Sequence, residues 1–409
     1  MLIADFGHEI WNNMKCKPSR TLLTGVGISW GMFILVLLLG VGSGFEQGVL
    51  GLFEGYSKST TYVFASSTSK EYNGMKKGRI VTFNEEDLMK LRSKVLDIAL
   101  LSPEVSSREI VNANAETGLY EVKGVYSDYF GIRILETEKG RILNALDDRE
   151  KRKTVIIGKH VAKMLFNHLD PIGRHLMIKD VTYTVVGVIK TSIMNTFDER
   201  VIYMPYTTYT ENVTTVTEFS TLLYATRQGG DTKKANDYVR SVLSRMKQVA
   251  PDDDKAFYFN SMEEQVKAFN SLFSGLNKFL WFMGISTLFS GVIGVGNIMY
   301  TSAKERTREI GILKSLGVKP VTIKSMFLCE AIALTSIAGF IGVLLGWACL
   351  SGIGLLITDD TIMMKKPGID FPVIIGAMFI LAVSGTIAGI KPALYASSLN
   401  PIEALKEEN

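Results

Sequence analysis

Four stretches of this sequence are long and apolar enough to cross a lipid bilayer, and they are unevenly spaced. A spanning helix needs about 20 predominantly apolar residues. The windows that meet this need cover residues 21–44, 276–301, 325–357 and 372–397. The sequence therefore predicts an α-helical membrane protein with four transmembrane helices. A large α/β or α+β domain, residues 45–275, is inserted between the first two.

Basic residues near the ends of the windows predict the orientation. The segment 302–324 holds six Lys/Arg and two acids, and further basic residues precede the first window and follow the fourth. Because positive segments stay in the cytoplasm, both termini should be cytoplasmic and residues 45–275 extracytoplasmic. Lys365 and Lys366 in the outer loop, 358–371, run against the rule. The modest net charge of +4 suggests no nucleic-acid partner.

The start of the chain allows two interpretations. Residues 1–20 place Ile3, Phe6, Ile10 and Met14 three and four apart beside Trp11, which favours an amphipathic helix in the lipid interface. A helix packed on a partner protein is the alternative. The first window is also preceded by lysines, as in a signal peptide, but it exceeds the usual core of about 7–15 residues. We therefore expect it to be retained.

The search for chemistry finds no catalytic or metal motif. The sequence has no H-E-x-x-H, no G-x-S-x-G and no phosphate-binding G-x-x-x-x-G-K-[ST]. His160 and His168 fall near one predicted helix, which favours a surface helix over a metal site. Asp252, Asp253 and Asp254 lack the spacing of a calcium loop and predict a solvated turn. We expect no cofactor on this chain and no enzyme activity.

The insert alternates short β-rich runs with helical patterns, which indicates a mixed domain. Helices are expected from Asn84 to Lys94, over 159–167 and 231–248, and from Ser261 onward into the second window. Expected strands cover residues 61–65, 79–83, 110–113, 119–125, 154–157, 183–189, 201–204 and 221–225.

Small residues four apart mark the apolar windows. Glycines at this spacing let helix backbones approach closely, which favours a tight bundle or a dimer seam. The pairs are Gly27 and Gly31, Gly342 and Gly346, and Gly385 and Gly389.

The basic segment also has the pattern of a short amphipathic helix. Residues 303–316 carry a charged first half and then Ile310, Leu313 and Leu316 as an apolar stripe. Gly317 suits a helix C-terminus, and Pro320 suits the start of the next helix. Partner docking is favoured over the alternative, an orientation signal that rests on lipid.

This segment resembles the signature of a known family. NIMYTSAKERTREIGILKSLGVKPVTIKSMFLCEA (from Asn297), with the tail GIKPALYASSLNPIEAL, is similar to the MacB/FtsX-type permeases, the membrane subunits of type VII ABC transporters. LTGVGISWGMFILVLLLGVGSGF, DPIGRHLMIKDVTYTVVGVI and VIYMPYTTY resemble that family's first span and extracytoplasmic core. The resemblance implies a bacterial inner (plasma) membrane location.

The resemblance also implies how the protein works. The expected parts are a porter-like region with a sabre-like lobe near 126–214, a cytoplasmic tail over 398–409, a second permease and possible use of a periplasmic adaptor. MacB carries a fused ATPase, whereas this chain begins some 20 residues before its first span, so the ATPase, with its ATP and Mg, is expected on another chain. The implied ATPase-coupling residues are Lys304, Glu305, Arg306, Thr307, Arg308, Glu309, Ile310, Leu313, Leu316 and Gly317.

The expected function is mechanotransmission, in which ATP-driven motion moves the outer domain and exports drugs, peptides or lipoproteins. The alternative is an FtsX-like signalling or scaffolding permease that regulates an extracytoplasmic enzyme. A membrane sensor without an ATPase leaves the amphipathic helix unexplained. Glu330, an acid near the inner end of the third window, is either functional or simply reaches the interface.

Overall fold

The computed structural model describes residues 18–53, 55–114, 116–167, 169–190, 196–214, 217–227, 229–357, 365–368 and 371–400. Residues 1–17 of the predicted interfacial helix over 1–20, His168 and most of the tail therefore lie outside the described residues. The chain divides into two compact units. Unit 1 comprises residues 1–48 and 272–409, and unit 2 comprises residues 49–271.

Helices and strands follow one another in a mixed order. The helices are α1 (Pro18–Gly51), α2 (Glu85–Lys94), α3 (Asp128–Ile132), α4 (Ala145–Arg149), α5 (Lys159–Phe166), α6 (Tyr206–Asn212), α7 (Thr232–Lys247), α8 (Met262–Glu305), α9 (Thr307–Ser315), α10 (Pro320–Leu356) and α11 (Phe371–Ser398). The strands are β1 (Thr60–Ala65), β2 (Ile98–Ala113), β3 (Glu116–Val125), β4 (Thr137–Gly140), β5 (Thr154–Ile157), β6 (His175–Ile178), β7 (Val181–Ile189), β8 (Val201–Pro205), β9 (Thr221–Thr226) and β10 (Phe257–Ser261).

Unit 1 contains the apolar helices. Within the described part of the chain, α1, α8, α10 and α11 are each long and apolar enough to cross a membrane. This agrees with the count of four windows made from the sequence. The buried side chains of these helices form one core that also includes Ile310 of α9 and Ile323 of α10.

Glycines set the close approaches within unit 1. A Cβ on Gly342 would lie 2.4 Å from the backbone oxygen of Ser29, and one on Gly385 would lie 2.3 Å from Oγ1 of Thr335. These contacts join α1 to α10 and α10 to α11. The other predicted glycines follow the same pattern, with Gly346 against Val36, Gly389 against Ala331 and Gly31 against Leu288. Gly27 differs.

A Cβ on Gly27 would meet no atom within 4 Å. The dimer-seam alternative for Gly27 therefore stays a prediction, and no described residue of this chain packs where its side chain would be. The reason is that its face of α1 is exposed, which the Gly-x-x-x-Gly spacing does not reveal.

Unit 2 is built on one mixed sheet of ten strands. The strand order is β10-β1-β9-β2-β3-β8-β5-β7-β4, with β6 pairing with β2 and β7. The long β2–β3 hairpin pairs ten residues in register, from Glu104 with Val125 to Ala113 with Glu116. The pairs β3–β8 and β5–β7 are parallel. This topology confirms the predicted mixture of helices and strands in the insert.

Two apolar cores lie at different parts of this sheet. One packs α2 and α7 against β1 and β9, with Leu91, Val239 and Leu222 at its centre. Another packs α5 and α6 against β3, β5 and β7, with Phe166, Tyr209 and Val185 buried. Because a sheet needs both faces covered, these helices complete the layers.

Most element predictions are confirmed, since capping and periodicity are local signals. Asn84 and Asp87 form the reciprocal cap of α2 at 2.9 and 3.0 Å. The amide of Glu264 donates to Oγ of Ser261 at the start of α8. The strand expected over 79–83 is wrong, because Ile80 and Phe83 make only isolated pairings with Ser67 and Phe219.

Strands β4, β6 and β10 and the first part of β2 escape prediction. β4 and the first part of β2 contain charged residues or a proline, and β6 has one β-branched residue, but the aromatic residues of β10 are typical of a strand and were overlooked. Pro103, for example, lies inside β2 opposite Leu222 of β9. Strands β4, β10 and this part of β2 pair with strands distant in sequence, whereas β6 forms a hairpin with β7.

The acidic run 252–254 is a turn with Asp252 and Asp254 exposed, as its sequence suggested, but Asp253 in its middle is buried. Asp253 is 1% exposed and accepts hydrogen bonds from the amide and hydroxyl of Ser69, each at 2.7 Å, and from the amide of Lys70 at 3.1 Å. Asp252 pairs with Lys70 and Asp254 with Arg240. The run therefore ties the loop after β1 to the end of unit 2. Non-local donors explain why sequence spacing missed it.

A buried ion pair fixes another part of unit 2. Nη2 of Arg133 lies 2.7 Å from Oδ2 of Asp198, and the Tyr203 hydroxyl donates to Oδ1 of the same carboxylate. The guanidinium lies over the Tyr56 ring, 4.5 Å from its centroid. Burial raises the pKa of Tyr203 well above its usual range, and the Asp198 charge adds to the effect. This tyrosine therefore stays protonated and acts as a donor.

Candidate coupling site

The connection between α8 and α10 is a broken helix. The sequence predicts one helix over 303–316, but α8 ends at Glu305 and α9 begins at Thr307. Arg306 separates them with φ −97° and ψ 14°, outside helical values. Oγ1 of Thr307 donates to the Lys304 carbonyl at 2.6 Å. This hydroxyl satisfies one of the carbonyls that the end of α8 leaves free.

The inner face of α9 is held by apolar packing. Ala303, Ile310, Ile323 and Phe327 are each no more than 3% exposed and belong to the core of unit 1. Thr307 is also buried, at 7% exposed. Thr307 is therefore a packed residue, although the family resemblance placed it among the ATPase-coupling residues.

Arg306 is shared between two carboxylates. Its Nε lies 2.9 Å from Oε2 of Glu309, and its Nη1 lies 3.5 Å from Oε2 of Glu330 on α10. The Arg306 side chain is 20% exposed and that of Glu330 is 10% exposed. Glu330 therefore does not extend to the interface as a free acid. It faces the arginine at the break between α8 and α9.

Lys314 attaches the other end of α9 to α11. Its Nζ donates to the carbonyl oxygens of Ser397 and Leu399, each at 2.6 Å. The last carbonyls of a helix lack partners within the helix and carry partial negative charge. An ammonium group therefore suits this position. The sequence marked Lys314 only as one of several basic residues in the loop.

A glycine ends α9. The amide of Val318 donates to the Leu313 carbonyl at 3.1 Å, and the amide of Gly317 donates to the Lys314 carbonyl at 3.0 Å. These two bonds form a Schellman motif, with Gly317 at φ +87°. Pro320 then opens α10 at its first turn. The sequence predicted both roles, and both are confirmed.

The exposed side of the segment carries charge and apolar surface together. Lys304, Glu305, Arg308 and Glu309 are exposed. Ile312 is 44% exposed and Leu316 is 76% exposed. We call these six residues the coupling face. Val321, 71% exposed on α10, follows soon after them in the chain.

Of the three predicted stripe residues, the structure exposes one. Ile310 is buried as expected, and Leu313 is half-buried, but Leu316 is exposed. Leu316 is the C-cap of α9, so it lies beyond the last helical turn and leaves the stripe. Sequence reasoning missed Ile312. The signal that could have found it is its spacing of four residues from both Arg308 and Leu316, which places these residues on one face of the helix.

Aromatic rings flank the site on α8 and α11. The rings of Tyr300 and Tyr395 meet edge to face, with centroids 5.0 Å apart. The ammonium groups of Lys304 and Lys391 lie 5.3 and 5.4 Å from the Tyr300 centroid. In the described residues, no cluster of three or more His, Cys, Asp or Glu side chains forms a metal site. The arrangement is chemically suited to binding a protein surface.

Comparison with protein families gives two matches along the chain. Residues 21–242 match the MacB-like periplasmic core domain, and residues 281–401 match the FtsX-like permease C-terminal domain. The first match alone covers more than half of the chain. The chain belongs to the MacB/FtsX-type ABC transporter permeases.

Curated relatives of this MacB/FtsX-type permease are longer proteins. It is 28% identical over 394 residues to the macrolide export ATP-binding/permease protein MacB of Neisseria meningitidis, covering 95% of this chain and 58% of the relative. It is also 28% identical to the probable syringafactin export protein SyfD of Pseudomonas syringae, over 97% of this chain and 59% of the relative. The permease thus spans about three-fifths of the length of these relatives.

Two solved structures also resemble part of this permease. The periplasmic region of MacB from Actinobacillus actinomycetemcomitans has a TM-score of 0.45 and 17% identity, over 53% of this chain and 95% of that one. The extracellular domain of YknZ from Gram-positive bacteria has a TM-score of 0.42 and 18% identity, over 49% of this chain and 99% of that one.

Proposed function

We propose that this permease is a subunit of an ABC exporter whose ATPase, on a separate chain, docks on the coupling face. The observation that carries the proposal is the division of α9 into two sides. One side is packed into the core of unit 1 through Ile310. The other presents Arg308, Glu309, Ile312 and Leu316, a mixture of charged and apolar groups that suits a protein interface. ATP and Mg bind to the partner.

Export by mechanotransmission is the proposed activity. The relatives MacB, SyfD and PvdT are named as macrolide, syringafactin and pyoverdine export proteins, which supports export over the FtsX-like regulatory alternative. ATP-driven motion of α9 passes through unit 1 and moves unit 2. The proposed substrates are drugs, peptides or lipoproteins that unit 2 handles outside the membrane.

The proposed setting is a bacterial inner membrane with both termini and the coupling face in the cytoplasm. Six basic residues between 303 and 324 support this orientation. Unit 2 is extracytoplasmic and lies in the chain between the first and second spanning helices. It comprises a porter-like region and a sabre-like lobe near 126–214. A second permease pairs with this one, a periplasmic adaptor is a further partner, and lipid surrounds unit 1.

Replacing Leu316 tests the docking site. Leu316→Asp places a charge on the more exposed of the two apolar side chains of the coupling face, so we expect recovery of a P-loop ATPase with the tagged permease to fall at least tenfold. Purification from native membranes, with mass spectrometry of peptides that contain the phosphate-binding motif, measures this recovery. Leu96→Asp in unit 2 is the matched control, because Leu96 and Leu316 are 75% and 76% exposed. Unchanged recovery in Leu316→Asp contradicts the docking proposal.

Cysteine labelling tests the orientation. In a background with Cys16, Cys329 and Cys349 replaced by serine, cysteines are introduced at Lys77 and at Arg308, both exposed. A thiol reagent that does not cross membranes should label position 77 in intact cells and position 308 only after the cells are opened. The reverse pattern contradicts the orientation.

A further inference from the structure

The coupling helix is attached to two different membrane helices by two unlike contacts. At its beginning, Arg306 reaches Glu330 of α10 at 3.5 Å. At its end, Lys314 donates two hydrogen bonds of 2.6 Å to the carbonyls of Ser397 and Leu399. We call these two carbonyl groups the α11 acceptor site. The Lys314 contact differs from the Arg306 contact in its shorter distances and in its two acceptors.

We propose that Lys314 is a positioning residue that fastens the coupling helix to the α11 acceptor site, so that α11 moves together with α9. The role of this contact in transport rests on the proposed function. The contact itself is a property of the permease alone. The proposal also gives a role to the end of α11, which takes no part in the coupling face.

The chemistry of the α11 acceptor site favours a lysine. The final carbonyls of α11 have no partner further along the helix, and the helix dipole places partial negative charge there. An ammonium group carries three donors, so it can bond both oxygens at once. Hydrogen bonds to a charged donor are shorter and stronger than neutral ones, in agreement with the two distances of 2.6 Å.

The α11 acceptor site is itself held in place. Oγ of Ser397 donates to the Leu394 carbonyl at 2.9 Å, and Oγ of Ser398 donates to the Tyr395 carbonyl at 3.0 Å. Tyr395 packs on Tyr300 of α8. Ala396 is fully buried. A force on α9 through Lys314 therefore acts on a fixed helix end and not on a loose tail.

The Arg306 contact provides a contrast within the same helix. Nη1 of Arg306 is buried but makes no hydrogen bond within the described residues, and the guanidinium is divided between Glu309 and Glu330. Glu309 gives the guanidinium a second partner if Glu330 moves. Ile310 of α9 also shares one apolar core with Ile323 and Phe327 of α10, so it is the polar attachment that is firm at α11 and shared at α10.

Hydrogen exchange of the full-length permease in nanodiscs, without any ATPase, tests the attachment. Lys314→Met keeps the aliphatic stem and removes the donors, and we expect amides of residues 307–316 to exchange about tenfold faster. Lys319→Met is the matched control, because Lys319 is an exposed lysine in the same connection and should leave exchange unchanged. Equal exchange in Lys314→Met and the unmodified protein overturns the proposal.

A second variant separates donation from packing. Lys314→Arg retains charged donors, so exchange of residues 307–316 should stay within about twofold of the unmodified protein. If Arg and Met variants exchange equally fast, the lysine stem and not its hydrogen bonds holds the helix, and the proposal is wrong. This comparison also decides the matter if Lys314→Met proves poorly folded.

Spin labels test whether α9 and α11 move together. Labels at Ser315 and Leu394, both exposed, should give a narrow distance distribution that Lys314→Met broadens at least twofold and Lys319→Met does not. An equally narrow distribution in Lys314→Met overturns the proposal. These measurements use the permease alone. If Leu316→Asp does not reduce ATPase recovery, the docking proposal fails, but the expected results of the exchange and spin-label measurements do not change.

Discussion

Each unit places an arginine beside a buried carboxylate, and the two sites are built differently. In unit 2, Arg133 and Asp198 lie 2.7 Å apart with side chains 8% and 4% exposed. Tyr203 donates to the same carboxylate and Tyr56 covers the guanidinium. In unit 1, Arg306 lies 3.5 Å from Glu330 and also reaches the exposed Glu309.

This difference separates a structural site from an adjustable one. A buried pair with several further partners has no alternative arrangement, so it holds one conformation. An arginine that divides its donors between a buried and an exposed acid has a second partner available when the first moves. The unit 2 site therefore fixes a fold, whereas the unit 1 site lies where we propose that motion enters.

The largest expected effect is at Asp198. Asp198→Ala leaves Arg133 buried without its charge partner, which should lower the free energy of unfolding of unit 2 by about 3–5 kcal/mol. Urea-dependent pulse proteolysis of the full-length permease in detergent measures this. Glu136→Ala is the control, since the Lys190–Glu136 pair is more than 60% exposed on both sides and should contribute less than about 1 kcal/mol. Equal losses contradict the distinction between the two sites.

A smaller effect is expected at Glu330. Glu330→Gln removes one acid from Arg306 but leaves Glu309, so we expect unit 1 to lose only about 1–2 kcal/mol. The four tryptophans of the chain all lie in unit 1, so their fluorescence during denaturation in detergent follows this unit selectively. A loss as large as that of Asp198→Ala would show that the arginine is not shared.

The smallest effect is a pH dependence in unit 2, at Asp148. Burial raises the pKa of Asp148 from 3.8 to about 6. The folded state therefore binds more protons than the unfolded state between these values, and the free energy of unfolding falls as pH rises from about 4 to about 6.

Asp148→Asn removes this dependence. After allowing for partial exposure, we expect unit 2 of the unmodified protein to lose about 1 kcal/mol more than the variant between pH 4 and pH 7. Pulse proteolysis at both pH values measures the difference. Asp252→Asn, at an exposed acid of the same unit, is the comparison. Parallel pH profiles for the Asp148 variant and the unmodified protein contradict the assignment.

The sequence predicted which segment forms the candidate site better than which residues of that segment are exposed. Gly317 and Pro320 are recognisable because each has a backbone constraint that suits one helix position. The break at Arg306 has no such marker, since arginine is a good helix former. Leu316 was assigned to a buried stripe although it is the C-cap of α9, and Ile312, which lies on the side of the helix away from Ile310, was overlooked.

Unit 2 shows the same limit. The cap of α2 at Asn84 involves residues three apart and was predicted correctly. Asp253 was expected in solvent, yet it accepts hydrogen bonds from Ser69 and Lys70, more than 180 residues away in sequence. Spacing rules describe neighbours along the chain and contain no information about such partners.

The sequence by itself determined the four apolar helices, the mixed insert and the basic connection, because length, hydropathy and charge are properties of each segment alone. Only the tertiary structure decided that Thr307 and Glu330 are buried, that Lys314 bonds the end of α11 and that a Cβ on Gly27 would meet no atom within 4 Å. Each of these depends on which distant backbone lies beside the residue. That choice is made by packing of the whole chain, and it converts a basic loop into a helix with an attached side and a free side.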